Sequence, residues 1–442
     1  MKKRIMELLE LKRYTEVRSL LCEVEPADIA AVLGDMSERA TLICFRLLPN
    51  DLAAEVFVEL DSDLQSALIA SFSDSELKEV IDELYVDDVV DLIEEMPANM
   101  VRRILSQAES DMRASINEIL KYPSDSAGSL MTTEFVSLHS GITVSDAFSA
   151  IRRRAIDKET VYNCYVRDEK SRLIGVVTVK DLLIADLDDD INSIMETNII
   201  CAATTDDRET VALKFSHYDL LALPVVDSEN RLVGIITVDD AIDVLEEEAT
   251  EDIEVMAGIS PTDKPYMKTG VFETWRKRIP WLLLLMVSAT FTSTIITHYE
   301  ASLSLFGLAA FMPMLMDTGG NAGGQASVTV IRGLSLGEIR PRDWFRIAFK
   351  EFRVSILCGI TMAAATFLKL MIVDAPGVTV ALVVSLTLLC GIMVAKFVGC
   401  TMPILAKLIG LDPAVMASPF ITTMVDVISL MIYFNIATAI LV

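Results

Sequence analysis

The alternation of apolar and polar positions changes character three times along the chain, and each change predicts a different architecture. From Glu25 to Leu120, short apolar runs recur at roughly a dozen residues, as in EPADIAAVLGDM, LPNDLAAEVFVEL, DSDLQSALIASF, SDSELKEVIDEL and YVDDVVDLIEEM. They open on Pro, Asp or Ser, residues that satisfy the free N–H groups of a helix start. The spacing predicts an all-α superhelical N domain, residues 1–128, with an acidic outer surface. From Leu130 to Val244 a longer unit repeats: RLIGVVTVKDLL at Arg172 to Leu183 returns as RLVGIITVDDAI at Arg231 to Ile242. In each copy a β-branched run fits a buried strand and a helix follows. LMTTEFVSL and IMETNIICA supply matching first strands, and TVSDAFSAIRRR and ETVALKFSHYDLL matching helices. The pattern predicts a tandem α/β pair, 129–194 and 195–245, each module β-α-β-β-α.

A connecting segment, 246–278, follows. Its helix, DVLEEEATEDIEVMAG, crowds like charges along one short stretch, which costs stability unless cations neutralise them. SPTDKP ends it, and Trp275-Arg276-Lys277-Arg278 marks a membrane interface. Five apolar stretches then read as transmembrane helices: about 279–297, 303–331, 352–373, 378–409 and 414–441, each able to cross a hydrocarbon layer of ~30 Å. The whole chain therefore reads as a multidomain α-helical integral membrane protein with five transmembrane helices in 279–442. Basic residues cluster at Arg276 to Arg278 and in RGLSLGEIRPRDWFRIAFKEFR, whereas HYEAS and DAPG carry no Lys or Arg. That asymmetry, with no secretory signal peptide at the start, places the N-terminus in the cytoplasm and the C-terminus outside, in the cell (inner) membrane.

Composition sharpens the division. Mean hydropathy is +0.44 and net charge −26, yet only eight of the 64 acidic residues lie beyond Pro280. Such a charge on the soluble part excludes nucleic acid and favours cations as partners. Seven scattered cysteines, without a C-x-x-C pair, read as reduced and packed thiols, and three dispersed histidines offer no zinc spacing. No P-loop, nucleophile elbow or metal-binding His pair is present, so an enzyme is not expected.

The chemistry concentrates inside the apolar spans. Asp426 sits in ASPFITTMVDVISLMIYFNIATAILV, where a mid-membrane carboxylate costs several kcal/mol. Ser418, Thr422, Thr423 and Asn435 share its span. The second span carries PMLMDTGGNAGGQAS, in which Asp317, Thr318, Asn321 and Gln325 interrupt apolar sequence beside glycines. Pro313, Gly319 and Gly320 in the same stretch allow close backbone approach and free carbonyl groups, which survive at this depth only around protein or water. A helix-packing notch and an oxygen-rich pore wall both fit. Hard cations such as Mg²⁺ prefer oxygen ligands and keep several waters, so one ring of carboxylates suffices. A proton relay is the rival reading of Asp426. It lacks a His or Lys partner on its own span, and Lys396 and Lys369 read as snorkelling to the inner and outer faces.

The tandem pair resembles cystathionine-β-synthase (CBS) domains, which dimerise and often bind adenine nucleotides. Thr178-x-x-Asp181 and Thr237-x-x-Asp240 match that family's ribose-contacting pattern, which implies ATP as a cofactor. The whole chain is similar to the MgtE family of magnesium channels, on YPSDSAGSLMT, PMLMDTGGNAGGQ and DPAVMASPFITTMVDVISLMIY. The resemblance implies a homodimer in a lipid bilayer, a plug helix after the CBS pair, and Asp426 of both subunits holding hydrated Mg²⁺ in a pore. It further implies Mg²⁺ bound by Asp412, Glu251 and Asp252 at the cytoplasmic mouth. Sensor ligands implied by matching positions are Glu55, Asp87, Asp91, Asp207, Glu209, Asp219, Asp240, Asp243 and Glu248. Gly324 and Ser418 stand where some members carry amides. The expected function is Mg²⁺ uptake through a pore that cytosolic Mg²⁺ closes. The alternatives are a channel for Mn²⁺ or Co²⁺, and a membrane-anchored nucleotide sensor.

Overall fold

The structure is a computed structural model that describes residues 1–154, 158–262, 266–267, 269–299 and 307–441. It divides into two compact units, Met1–Leu245 and Glu246–Val442.

The first unit opens with ten short helices: α1 (Lys2–Glu10), α2 (Tyr14–Leu21), α3 (Pro26–Gly34), α4 (Glu38–Phe45), α5 (Asn50–Val58), α6 (Ser62–Ser71), α7 (Asp74–Ile81), α8 (Val86–Glu95), α9 (Ala98–Gln107) and α10 (Ser110–Ile119). The expected punctuation is present: Asp61 accepts from the Leu64 N–H and Ser73 with Glu76 forms a capping box. Such a cap is worth about 1 kcal/mol. Short helices of this length have no stability alone, and they hold because Ile29, Leu33, Phe57, Ile69, Leu77, Ile81 and Ile104 fuse into one buried core.

That core continues into Leu223, Val225 and Ile236 of the second α/β module. After the turn α11 (Ala127–Leu130), the first module holds β1 (Phe135–His139), α12 (Val144–Arg154), β2 (Thr160–Arg167), β3 (Leu173–Thr178), α13 (Val179–Ile184) and α14 (Ile191–Ile194). The second holds β4 (Ala202–Ala203), α15 (Arg208–Tyr218), β5 (Ala222–Val226), β6 (Leu232–Thr237) and α16 (Val238–Met256). In each sheet the first two strands are parallel and the last is antiparallel. Each sheet also borrows an edge from the segment that leads into the other module: Thr132 exchanges backbone hydrogen bonds with Ile235, and Glu196 with Val176. This crossing explains the glycine in both copies of the repeat. A Cβ at Gly175 would strike the Met195 side chain, and one at Gly234 would lie 2.8 Å from the Thr132 carbonyl.

In the second unit the end of α16 leads to α17 (Val271–His298), α18 (Met312–Ser335), α19 (Trp344–Lys369), α20 (Val378–Leu408) and α21 (Ser418–Leu441). Among the described residues, four stretches, containing α17, α19, α20 and α21, are long and apolar enough to cross a membrane. The fifth expected span corresponds to α18, whose polar residues lower its hydropathy, and its expected start at 303 lies outside the described residues. Glycines let α18 sit against both α20 and α21. A methyl at Gly399 would run into the Gly323 carbonyl, and one at Gly323 would lie 2.8 Å from Ile421. Ala381, Val384, Leu388, Ala395, Val425 and Phe434 fill the space around them.

Candidate functional site

The membrane chemistry is built on α18 and α21. Gly319 and Gly320 are buried, and their Cβ positions face Val425 and Ser429, and Thr422, at 2.8–3.1 Å. They form the close-packed seam between the two helices, with Asp426 beside it. Asp426 is half-buried, and its Oδ1 is shut off from solvent with no hydrogen-bond donor among the described residues. Around the same helix Thr423 Oγ1 donates to the Pro419 carbonyl at 3.1 Å and the Asn435 amide donates to the Met431 carbonyl at 2.6 Å, so both are engaged by their own helix. The Ser418 side chain lies outside the described residues.

Pro313, Asp317, Asn321 and Gln325 recur every fourth residue on α18, and all four are exposed. Asp317, Asn321 and Gln325 line a cavity of ≈ 580 Å³ whose other walls include Thr361 of α19 and Lys396 of α20. Lys396 is buried and does not reach solvent as a snorkelling lysine would. Its side chain is 7% exposed and its Nζ lies 3.8 Å from Glu351, itself 14% exposed, because an ammonium in hydrocarbon is held by a counter-charge where one is in reach. Lys369 does lie at a helix end, 2.7 Å from Asp374.

At the end of α16, Asp252 accepts a hydrogen bond from Ser335 Oγ at 2.9 Å. Burial pushes its carboxyl above the usual range, Ser335 opposes this, and Asp412 adds repulsion. Asp412 caps the following turn by accepting from the Ala414 N–H at 2.8 Å. Glu251 is exposed and Glu248 half-buried on the same α16. Val255 packs with Ile331, Ala414 and Ala417, which fixes this end of α16 beside Asp412.

In the first unit, α8 and the start of α16 bring Asp87 and Asp240 together. Asp87 is 8% exposed and its Oδ1 has no hydrogen-bond partner among the described residues. Burial pushes its carboxyl well above the ordinary value, with Asp240 the next cause. Asp88 and Asp240 are each raised to about 6, chiefly by burial. Glu159 is raised to about 8 by burial and then by Asp88, and its Oε2 is likewise unpartnered. Glu134 joins them, accepting from Thr132 Oγ1 at 2.6 Å. Sequence reasoning missed Glu134 and Glu159. They stand at the starts of adjacent parallel strands, where Glu159 N–H donates to the Glu134 carbonyl, and only strand pairing juxtaposes them.

The remaining sensor residues are not gathered there. Glu55 is exposed on α5 and Asp91 on α8. Asp207 caps α15 by accepting from the Thr210 N–H at 3.0 Å, Glu209 is half-buried in its first turn, and Asp219 ends α15 in the left-handed region at φ 53°. Asp243 is exposed on α16. Thr178 donates to Asp181 at 2.5 Å and Thr237 to Asp240 at 2.6 Å, so the T-x-x-D pairs cap α13 and α16. Among the described residues no three His, Cys, Asp or Glu side chains close into a finished metal shell. The buried orphan oxygens of Asp87 and Glu159 nevertheless suit a hydrated divalent cation, which would replace like-charge repulsion by attraction. All seven cysteines are unpaired; Cys22 is exposed rather than packed.

Comparison with known proteins agrees with this layout. The family model described as divalent cation transporter matches residues 312–436, that of the MgtE intracellular N domain 24–125, and the CBS domain 127–188 and 190–247. The magnesium transporter MgtE of Thermus thermophilus is 35% identical over 99% of this chain and 98% of its own length. That of Bacillus subtilis is 33% identical over 99% and 96%. A crystal structure of the cytosolic domain of the Mg²⁺ channel MgtE in complex with ATP superposes with a TM-score of 0.53 at 35% identity, covering 55% of this chain and 100% of that one. With relatives matched along nearly its full length and the family's own models over its N-terminal and membrane regions, this chain belongs to the MgtE family of divalent-cation transporters.

Proposed function

We propose that the chain is a Mg²⁺ channel that works as a homodimer and closes when cytosolic Mg²⁺ is abundant. Membership of the family makes it a transport protein of the lipid bilayer and not an enzyme. The observation that carries the finer reading is Asp426, a carboxylate with a shielded, unpartnered oxygen in an apolar helix. A two-fold axis beside α21 would bring two such groups together, and a hydrated divalent ion relieves their repulsion while keeping most of its waters. Asn321, Gln325 and Thr422 would contact those waters, Pro313 would open the outer end, and the Gly319–Gly320 seam would hold α18 at pore-wall distance.

Gating follows from charge. In low Mg²⁺ the carboxylates around Asp87 and Asp240 repel one another, as do Asp252 and Asp412. Ions bound there, and at Glu55, Asp91, Asp207, Glu209, Asp219, Asp243, Glu248 and Glu251 across subunits, draw the α16 helices under the pore. Several ions acting together supply the several kcal/mol that a clean switch needs. The N-terminus faces the cytoplasm and the C-terminus the outside of the inner membrane. ATP binds between the CBS modules, with Thr178, Asp181 and Thr237 offering ribose contacts from the free lone pairs of their capping oxygens; a relative's cytosolic domain holds ATP.

The test is Mg²⁺ uptake into liposomes that enclose a Mg²⁺-sensitive dye. The wild-type chain is expected to fill them and Asp426→Ala to abolish uptake. Wild-type rates from Asp426→Ala would end this reading in favour of a membrane-anchored nucleotide sensor. Mn²⁺ and Co²⁺ flux in the same vesicles addresses selectivity, because oxygen ligation alone does not exclude them.

A further inference from the structure

We infer that Asp317 is the core of a second hydrated-cation site, in series with Asp426 along the same path. The inference rests on the transport reading above and adds a ligand set to it. Asp317 is exposed on α18 with Asn321 and Gln325 one and two turns further along the same face. A carboxylate and two amides presented to hydrocarbon would be costly, so water or an ion must meet them there. Their cavity of ≈ 580 Å³ also takes in Thr318 and Thr361. An ion with six waters occupies about 200 Å³ at ~30 Å³ per water, so the site admits the ion without stripping its shell.

Among the described residues no ion pair or hydrogen bond satisfies the Asp317 carboxylate. Lys396, which lines the same cavity, is turned toward Glu351 at 3.8 Å. Its ammonium pairs with Glu351, and among the described residues it forms no ion pair with Asp317. Asp426 is close enough to Asp317 for the two to repel. Two carboxylates in electrostatic contact, each without a basic partner, let an ion at one site loosen an ion at the other, as multi-site conduction requires.

The probe is hexaamminecobalt(III), an inert complex of similar size to hydrated Mg²⁺ that cannot shed its ligands. In liposomes carrying the full chain it should block Mg²⁺ uptake, and Asp317→Asn should weaken that block and raise the half-saturating Mg²⁺ concentration, each about tenfold for one lost charge in a partly wet site. Asp317→Glu should retain both values within about threefold. Unchanged block and half-saturation in Asp317→Asn overturn the inference while leaving the transport reading intact, provided Asp426→Asn is silent. A wild-type chain that carries no Mg²⁺ overturns both. Should Asp317→Asn fail to assemble, Thr361→Val on the opposite wall of the cavity serves instead: weakened block supports the site, and wild-type block overturns it.

Discussion

Single residues in the membrane unit do two separable jobs. Glycines set distances between helices, and polar side chains meet what passes between them. Gly323→Ala should be more damaging than Gly391→Ala, although both glycines are buried among the membrane helices. A Cβ at Gly323 already meets Ile421 at 2.8 Å and the Ala395 carbonyl at 3.2 Å, whereas one at Gly391 meets Ser429 Oγ at an ordinary 3.5 Å. Overpacking of this kind costs about 1–3 kcal/mol, and thermal unfolding of the purified protein in detergent measures the difference. The carboxylates of the first unit form a second residue-scale case. At pH 9, above the value of about 8 to which burial raises Glu159, Glu159→Gln removes one of several repelling charges, so it should raise the stability of the metal-free protein and shrink the gain on adding Mg²⁺, read as the shift in melting temperature between chelator and ion.

At the scale of elements, the α19–α20 pairing depends on Glu351 and Lys396. Removing one partner of a buried ion pair leaves an uncompensated charge and costs about 3–5 kcal/mol, whereas replacing both by apolar groups is often neutral. Lys396→Met is therefore expected to unfold at lower temperature than Glu351→Met/Lys396→Met, a comparison that fluorescence-detected chromatography after heating makes directly. The pair also marks a limit of sequence reading. The helices around it were legible from their apolar runs, and the two β-α-β-β-α modules from the RLIGVV and RLVGII repeat. The pair itself was not: residues 45 positions apart gain a relation only when α19 and α20 pack. Lys396 alone reads as a snorkelling lysine. Asp426 stands out in the sequence because its neighbours are so apolar, whereas Glu134 and Glu159 are hidden among abundant surface acids.

At the scale of the whole molecule, charge and proton affinity oppose each other. Carboxyls raised above their ordinary values bind protons more tightly folded than unfolded. Their contribution to stability is therefore fully present below the unfolded pKa and is lost as pH rises through the folded values. For Asp88 and Asp240 that window runs from about 4 to about 6, and for Glu159 from about 4.5 to about 8. A tenfold change in proton affinity is worth about 1.4 kcal/mol. Without metal, the full-length protein should thus lose hydrogen-exchange protection at α8 and the start of α16 between pH 5.5 and pH 8, about the window given by those groups. Mg²⁺ should restore it most at pH 8. Equal protection at both pH values in chelator would contradict the buried, mutually repelling arrangement.

The borrowed sheet edges carry a consequence for how the chain comes off the ribosome. Thr132 is made early, but its partner Ile235 arrives 103 residues later, a wait of roughly 5–20 s at cellular synthesis rates. Until then the nascent chain exposes an unfinished seam, so a fragment cut between the two repeats would be born with two sticky borders, and self-association is the expected fate of either half expressed alone.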